Sequence, residues 1–305
     1  MRLALFAAIV LRLWHTEPQS VQELATVTRS TADIRELSIN TADRSITFNG
    51  TPQQNAIAEW LVPQLDISGP RPFGTPYKVG ADDVVRVLYV NNAESPQQLM
   101  EIATVARSLA EVPRAFIYQP AKAIIARGTA DQIALIEWLL PQLDVTGPRS
   151  DSPQHYVGGK TDDIARVFYL NHTQTAPEVQ EMTTAVRSTA EIRRAFTYIT
   201  AKAVVLRATA DQIALAEFLI QKLNKPLGSF APGSDEYRIT ATPEGVVRLF
   251  AIDSATISDF HQRATSIRAA TGIMRAFTYS THRALILRGT PEQLAEAAQL
   301  VKRQQ

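Results

Sequence analysis

The chain repeats one sequence pattern four times. Thr-Ala-Asp-Gln-Ile-Ala-Leu at residues 129–135 recurs unchanged at residues 209–215, and Arg-Ala-Phe-x-Tyr begins at Arg114, Arg194 and Arg275. The Thr that opens the first motif, or its equivalent, stands at positions 51, 129, 209 and 290. A repeat of this length can bury a small core of its own. The pattern therefore predicts four small domains instead of one continuous solenoid.

Each repeat has the order β-α-β-β-α, which is clearest in the second copy. Residues 84–90 are rich in β-branched side chains and predict a strand, and Ser95 begins a helix. Residues 114–127 predict a hairpin with a turn at its centre. Thr129 and Gln132 form a capping box at the start of the second helix.

This order predicts an α+β fold in which each of four repeats has a three-stranded sheet with two helices packed on one face. The expected domains, of which the first is the most diverged, are residues 1–68, 77–146, 156–226 and 237–305. Pro- and Gly-rich stretches are typical of semi-rigid linkers. The expected linkers are residues 69–76, 147–155 and 227–236.

The composition excludes several classes of partner and chemistry. The 305 residues carry 31 Lys plus Arg against 30 Asp plus Glu, so no overall field attracts nucleic acid or an anionic membrane. No cysteine is present, which excludes disulfides and thiolate chemistry. Beyond the N-terminus, no segment approaches the length of apolar sequence that a transmembrane helix needs, so we expect none.

The N-terminal residues 1–13 fit two interpretations. Arg2 and the apolar residues 3–11 resemble a signal peptide, although no clear small-x-small cleavage site follows. The same stretch fits the first strand of the first repeat, because residues 10–14 parallel residues 165–169. Both interpretations stay open.

The polar residues predict no catalytic or metal site. No two of the five histidines have the helical spacing that a metal site usually needs. The acidic pairs at residues 82–83 and 162–163 are expected in solvated turns, because adjacent residues of an extended segment point to opposite faces. No Ser or Thr has a recurring His partner. We therefore expect no enzyme activity, no cofactor and no small-molecule substrate.

The Arg-Ala-Phe-x-Tyr motif places three side chains on one face of a strand, because alternate residues point the same way. An exposed face of this kind suits a protein interface or the stacking of single-stranded nucleic acid. In the alternative interpretation, Phe fills the core of its own repeat and Arg is solvated. The candidate interface residues are Arg114, Phe116, Tyr118, Arg194, Phe196, Tyr198, Arg275, Phe277 and Tyr279.

The second helix of each repeat carries a second candidate surface beside its core stripe. Two positions are apolar in the first three copies and polar in the last, where they are Glu296 and Gln299. We hypothesise that they contact an adjoining repeat or subunit, so that the last repeat resembles the polar cap of an array. The alternative is a poorer core in a terminal copy. The apolar members are Ile57, Trp60, Leu135, Trp138, Leu215 and Phe218.

A family resemblance rests on residues 121–144, which combine a strand, Gly-Thr-x-x-Gln and a helix that closes on Leu-Asp. Residues 50–66 and 289–300 carry weaker versions. This combination resembles the periplasmic N-terminal repeats of bacterial secretins. The resemblance implies small domains that pack into periplasmic rings and receive secretion substrates or inner-membrane partners. Secretins continue into a pore-forming barrel, whereas this sequence resembles the periplasmic stalk alone.

The resemblance implies a non-enzymatic scaffold of the bacterial envelope, periplasmic or associated with the outer membrane. Its expected partners are proteins, either copies of itself or secretion components. The alternative is an array of KH-like nucleic-acid-binding repeats, since the topology is also similar to that fold. A KH domain needs a Gly-x-x-Gly loop between helices, which this sequence lacks, so nucleic acid is the less favoured partner.

Overall fold

A computed structural model describes residues 7–69, 72–231, 235–239 and 245–304. The chain divides into two compact units, residues 1–146 and 147–305, and each unit holds two of the repeats. Parts of the N-terminal stretch, the first and third linkers and the fourth expected domain lie outside the described residues. These parts are residues 1–6, 70–71, 232–234, 240–244 and 305.

The first unit contains repeats 1 and 2, and both have the predicted order of elements. Repeat 1 consists of β1 (Ala7–Arg12), α1 (Val21–Ala32), β2 (Glu36–Asn40), β3 (Ser45–Gly50) and α2 (Pro52–Leu65). Repeat 2 consists of β4 (Tyr77–Gly80), β5 (Asp83–Tyr89), α3 (Pro96–Ala110), β6 (Arg114–Tyr118), β7 (Ala123–Gly128) and α4 (Ala130–Leu143). Strand β1 agrees with the strand interpretation of residues 7–12.

The second unit contains repeats 3 and 4 in the same order. Repeat 3 consists of β8 (Gln154–Tyr156), β9 (Ile164–Tyr169), α5 (Ala176–Thr189), β10 (Arg194–Tyr198), β11 (Ala203–Ala208) and α6 (Ala210–Leu223). Repeat 4 consists of β12 (Glu236–Arg238), β13 (Val246–Ala251), α7 (Ile257–Thr271), β14 (Arg275–Tyr279), β15 (Ala284–Gly289) and α8 (Pro291–Gln304). The α+β fold is thus confirmed, whereas the division into four separate domains stays a prediction.

Each sheet is antiparallel, and the second strand of the hairpin pairs on one side with the first strand of the hairpin and on the other side with the strand that precedes the first helix. The orders are β1-β3-β2, β4-β5-β7-β6, β10-β11-β9-β8 and β12-β13-β15-β14. Three sheets therefore have a fourth strand at one edge, where we expected three strands in all. The extra strands β4, β8 and β12 are three or four residues long. Such short segments next to a linker carry too little alternation of polar and apolar residues to be recognised as strands.

The glutamine of the capping box fastens the two helices of a repeat to each other. Gln132 Oε1 accepts from Thr129 N at 2.9 Å, while its Nε2 donates to Glu111 O, just beyond α3, at 2.8 Å. A Cβ on Gly128 would lie 2.6 Å from Gln132 Oε1, so Gly leaves room for this side chain. The equivalent glutamines of the other repeats make both contacts too: Gln54, Gln212 and Gln293.

The Asp that closes the second helix anchors the loop after the first strand. In repeat 1 the carboxylate of Asp66 accepts from the backbone N–H groups of Trp14 at 2.6 Å, His15 at 2.9 Å and Thr16 at 2.7 Å. Burial by itself would raise the pKa of Asp66, but these bonds and one from the Thr16 hydroxyl lower it below its usual value. Asp144 in repeat 2 accepts from the equivalent backbone in the same way. The Asp of the Leu-Asp ending therefore fixes the loop after the first strand of its own repeat.

Candidate functional site: a helix-on-sheet docking surface

In the first unit, the Arg, Phe and Tyr side chains of the Arg-Ala-Phe-x-Tyr strand in repeat 2 lie on the sheet face that points away from that repeat's own helices. The antiparallel register places Arg114 opposite Arg127, Phe116 opposite Ile125 and Tyr118 opposite Ala123. We call the face formed by these residues the docking face. It presents an apolar surface with two guanidinium groups at one end.

Helix α1 of repeat 1 covers the docking face of repeat 2. Tyr118 is 1% exposed and Ile125 is fully buried, and both belong to one hydrophobic cluster with Leu24 of α1. Phe116 is half-buried against the same cluster. Burial raises the pKa of the Tyr118 hydroxyl above its usual value. The two repeats of this unit thus share a continuous core across the docking face.

The polar end of the docking face binds the C-terminus of α1. Asp33 ends the helix in the left-handed conformation, with φ 59°. Its carboxylate pairs with Arg114 and lies 3.3 Å from Arg127 Nη1. The same Nη1 donates to Thr31 O at 2.8 Å. Since cations are favoured at a helix C-terminus, charge and backbone acceptor act together at this point.

A second acid holds Arg127 in place from within repeat 2. Asp83 at the start of β5 accepts from Arg127 Nε at 2.9 Å and from Nη2 at 2.6 Å. This bidentate pairing lowers the pKa of Asp83 and raises that of Arg127. We expected the 82–83 pair in a solvated turn, and Asp82 does lie exposed in a turn, whereas Asp83 is half-buried and begins β5. Asp82 also has a structural partner, because it accepts from Ala130 N at 3.0 Å at the start of α4.

The far end of the docking face carries a further acid contact. Glu23 near the start of α1 accepts from Gln119 N, just after β6, at 2.9 Å. Helix α1 therefore holds strand β6 at both ends, with Asp33 at its beginning and Glu23 beyond its end.

The second unit builds the same docking surface from equivalent residues. Glu191, just beyond α5 and again left-handed with φ 55°, lies 2.5 Å from Arg275 Nη2 and 3.1 Å from Arg288 Nη1. Arg288 also donates to Thr189 O at 2.8 Å. Glu181 takes the role of Glu23, since it accepts from the backbone N–H of the residue that follows β14 at 2.9 Å.

The two docking surfaces differ in how the inner arginine is neutralised. The Arg288 side chain is 4% exposed, against 14% for Arg127. Gly245 stands in repeat 4 where repeat 2 has Asp83, so this position offers no carboxylate to Arg288. Tyr279 in the same docking face is 1% exposed, and burial raises its pKa to about 12.

The third copy of the motif lies on β10. Tyr198 is fully buried, whereas Arg194 and Phe196 are half-buried. Arg207 on the neighbouring strand binds Asp163 through Nε at 2.8 Å and Nη2 at 2.7 Å, which repeats the Arg127 arrangement. The pKa of Asp163 is lowered by this pairing.

The candidate residues of helix two fall into two groups. Ile57, Leu135 and Leu215 are at most 3% exposed. Two of the aromatic members contact the first strand of the next repeat in the same unit. Trp60 lies 5.5 Å from Tyr77 and Phe218 lies 5.4 Å from Tyr237, measured between ring centroids. Trp138 is half-buried, and Glu296 and Gln299 of α8 are exposed.

Sequence reasoning missed the acids that bind the docking face. A signal was present, because an acid precedes Ile or Val at the end of the first helix in three repeats. These acids are Asp33, Glu111 and Glu191. The role of Asp33 and Glu191 depends on packing between the two repeats of a unit, which the local pattern of a single repeat does not contain.

The described parts of the chain hold neither a three-ligand metal site nor a membrane-spanning helix. No group of three His, Asp or Glu side chains there is placed to hold a metal ion. Within the same residue ranges, every helix is too short or too polar to span a bilayer.

Comparison with known proteins found no matching family model and no matching curated protein. Solved structures match, among them ExeD from Aeromonas hydrophila at 16% identity and TM-score 0.18, over 73% of this chain. The N-terminal domain of the secretin XcpQ from Pseudomonas aeruginosa matches at 18% identity and TM-score 0.24. The chain resembles secretin N-terminal domains. This secretin match covers 67% of the present chain and 75% of the XcpQ domain.

The secretin-like match has limits of length and similarity. The chain spans 41% of ExeD, less than half of that protein. Dim2p from Pyrococcus horikoshii OT3 also matches, at 9% identity and TM-score 0.27, over 47% of this chain and 93% of Dim2p. At these identities and TM-scores, the similarity by itself assigns no function.

Proposed function

We propose that the chain is a non-enzymatic scaffold of the bacterial envelope that works through protein–protein contacts, like the periplasmic stalk of a secretin. One observation carries this proposal: each unit joins two repeats through the same helix-on-sheet docking, built from equivalent residues. An arrangement made twice in this way provides two docked pairs of protein modules. Secretion components or further copies of the chain are the proposed partners.

The recurring polar residues support a structural role for the repeats. The carboxylates of Asp66 and Asp144 hold backbone N–H groups, and Gln132 and its equivalents join two helices. Arg127 and Arg288 are bound to acids and to backbone carbonyls. The residues that recur in the repeats are thus used in holding the modules together.

The same ion pairs count against the nucleic-acid alternative. Binding of single-stranded nucleic acid needs guanidinium groups that reach phosphates and aromatic rings that stack on bases. In both units the described arginines of the docking face, at positions 114, 127, 275 and 288, pair with carboxylates. Tyr118 and Tyr279 are buried beneath helices of the preceding repeat, where no base can reach them.

For contacts with partners we propose Trp138 on α4, the helix-two position whose equivalents Trp60 and Phe218 contact strands of the next repeat. Trp138→Glu should leave the first unit folded and change the assembly of the chain. Circular dichroism would report folding, and sedimentation velocity would report assembly. Simple loss of folding in this variant would contradict the assignment.

The experiment that tests the proposed location is fractionation of the tagged full-length chain in its host, with protease added to intact cells and to spheroplasts. We expect protection in intact cells and digestion in intact spheroplasts, as for a periplasmic marker protein. Resistance until the inner membrane is permeabilised, as for a cytoplasmic marker, would overturn the envelope proposal. Salt-dependent binding of RNA or single-stranded DNA would then be measured next.

A further inference from the structure

The sheet of repeat 1 and the first helix of repeat 4 lack the residues that make the docking surface. Helix α7 of repeat 4 is equivalent to the docking helices α1 and α5. The sheet of repeat 1 is equivalent to the sheets that carry the docking face. Each of these two elements differs from its equivalents at the positions that form the contacts.

Helix α7 has lost both acids of a docking helix. Gln262 stands at the position of Glu23 and Glu181, and Gly272 stands at the position of Asp33 and Glu191. Gly272 keeps the left-handed conformation, with φ 63°, but offers no carboxylate.

The surface of α7 that would face a docking sheet is also exposed and polar or small. Val27 and Ala185, which are 6% and 1% exposed in the docking helices, correspond to the exposed Ser266. The fully buried Thr31 and Thr189 correspond to the exposed Ala270.

The sheet of repeat 1 has lost both arginines and both aromatic rings of the docking face. In β2, Glu36, Ser38 and Asn40 take the places of Arg, Phe and Tyr, and all three are exposed. In β3, Asn49 replaces the inner arginine, and its Nδ2 donates to Glu36 Oε2 at 2.8 Å.

Glu36 reverses the charge at the point where a docking helix brings its acid. A second copy of this chain that approached with an acidic helix terminus would meet a carboxylate instead of a guanidinium. Like charges at an interface disfavour binding, and polar groups without partners there carry a desolvation cost.

We propose that these changes close repeat 1 and repeat 4 to further docking, so that a second copy of the chain does not dock head to tail through the docking surface. An interface between two different surfaces forms a ring if its rotation closes, and it extends into a filament if its rotation does not close. The repeats use this interface within a chain, and the altered ends confine it there. Copies that assemble do so through other surfaces.

The test uses the absence of cysteine from the sequence, which allows a single pair of probes. Ala185 and Phe277 line one cavity in the second unit, so their equivalents Ser266 and Ser38 would be neighbours in a docked second copy. S38C/S266C in the full chain, treated with a short bismaleimide, should give no intermolecular ladder. A ladder would overturn the proposal.

The matched variant restores both ends in the same cysteine-bearing chain. On the sheet it carries Glu36→Arg, Asn40→Tyr and Asn49→Arg, and on α7 it carries Gln262→Glu and Gly272→Glu. The left-handed Asp33 and Glu191 show that an acid is tolerated at position 272. This variant should give a concentration-dependent ladder. A folded variant that gives none would show that these residues do not decide docking.

A reciprocal variant covers the case in which the restored chain does not fold. Glu23→Gln with Asp33→Gly transfers the α7 residues to α1 inside the full chain. Hydrogen exchange in β6 should become about tenfold faster or more, because opening of the docked helix exposes that strand. The β14 strand of the second unit serves as the internal control. Unchanged protection in β6 would overturn the assignment of docking to these acids.

Discussion

Glu191 neutralises a guanidinium that comes from the next repeat and is almost completely buried. Its Oε2 lies 3.1 Å from Arg288 Nη1, and the Arg288 side chain is 4% exposed. In the first unit, Arg127 has Asp83 as well as Asp33. Gly245 takes the place of Asp83 in repeat 4, so we expect the two docking surfaces to depend on Asp33 and Glu191 to different degrees.

Glu191→Gln should destabilise the docked helix of the second unit by about 1–3 kcal/mol, because it removes a carboxylate from a guanidinium that is almost completely buried. Asp33→Asn should cost less than about 1 kcal/mol in the first unit, because Asp83 still neutralises Arg127. Hydrogen exchange of β14 and β6 in the full chain would measure both. The exposed Glu59→Gln on α2 is the control. Equal losses of stability in the two units would contradict the role assigned to Asp83, which is to neutralise Arg127 when Asp33 is replaced.

Asp66→Ala should destabilise repeat 1 by about 2–4 kcal/mol, because three backbone N–H groups and one hydroxyl lose their acceptor. Asp66→Asn should cost less. The reason is visible in repeat 3, where Asn224 holds the equivalent position and accepts from His172 N at 3.1 Å. Hydrogen exchange at residues 14–16 and thermal unfolding would show the order. Equal effects of Ala and Asn would mean that the anchor is not made by the side-chain oxygen.

Stability should fall in acid in a way that depends on Asp66. Its folded pKa lies below the ordinary value of 3.8, so its contribution is fully present above that value and is lost as pH falls through the folded pKa. The difference in melting temperature between wild type and Asp66→Asn should therefore shrink as pH falls below about 4. Glu59→Gln is the control. A difference that stays constant into strong acid would contradict the lowered pKa.

The aromatic contact between Trp60 and Tyr77 should contribute coupling energy between helix two of repeat 1 and the first strand of repeat 2. A double-mutant cycle with Trp60→Ala and Tyr77→Ala should give about 0.5–1.5 kcal/mol. The matched pair Phe218 and Tyr237 should give a similar value. Trp14→Ala, at a side chain that is 73% exposed, should change stability little. Additive effects of the two alanine substitutions would rule out direct coupling.

Much of the fold could be predicted from the sequence, because the repeat unit is specified by local signals. The capping box at Thr129 and Gln132, the β-branched strands and the turn at Pro120 each indicate their element. Comparing the four copies then corrects errors in any single copy. The short strands β4, β8 and β12 were missed because they are specified by pairing with a neighbouring strand.

Only the strand side of the docking surface could be predicted from the sequence. The shared face of Arg114, Phe116 and Tyr118 follows from the alternation of a strand. The acid that binds it, Asp33, lies 81 positions away in another repeat. Its role follows from how two repeats pack, and no periodicity within one repeat encodes that contact.

The spacing of the two acids on α1 matches the spacing of their partners along the strand that α1 covers. Glu23 and Asp33 are ten positions apart, which is about 15 Å along a helix axis. They bind Gln119 and Arg114, five positions apart on an extended strand, which is about 17 Å. A residue inserted into α1 between the acids would rotate one of them by about 100° relative to the other and end this match. Loops can change length in such a protein, but the length of α1 must match the length of the strand that it covers.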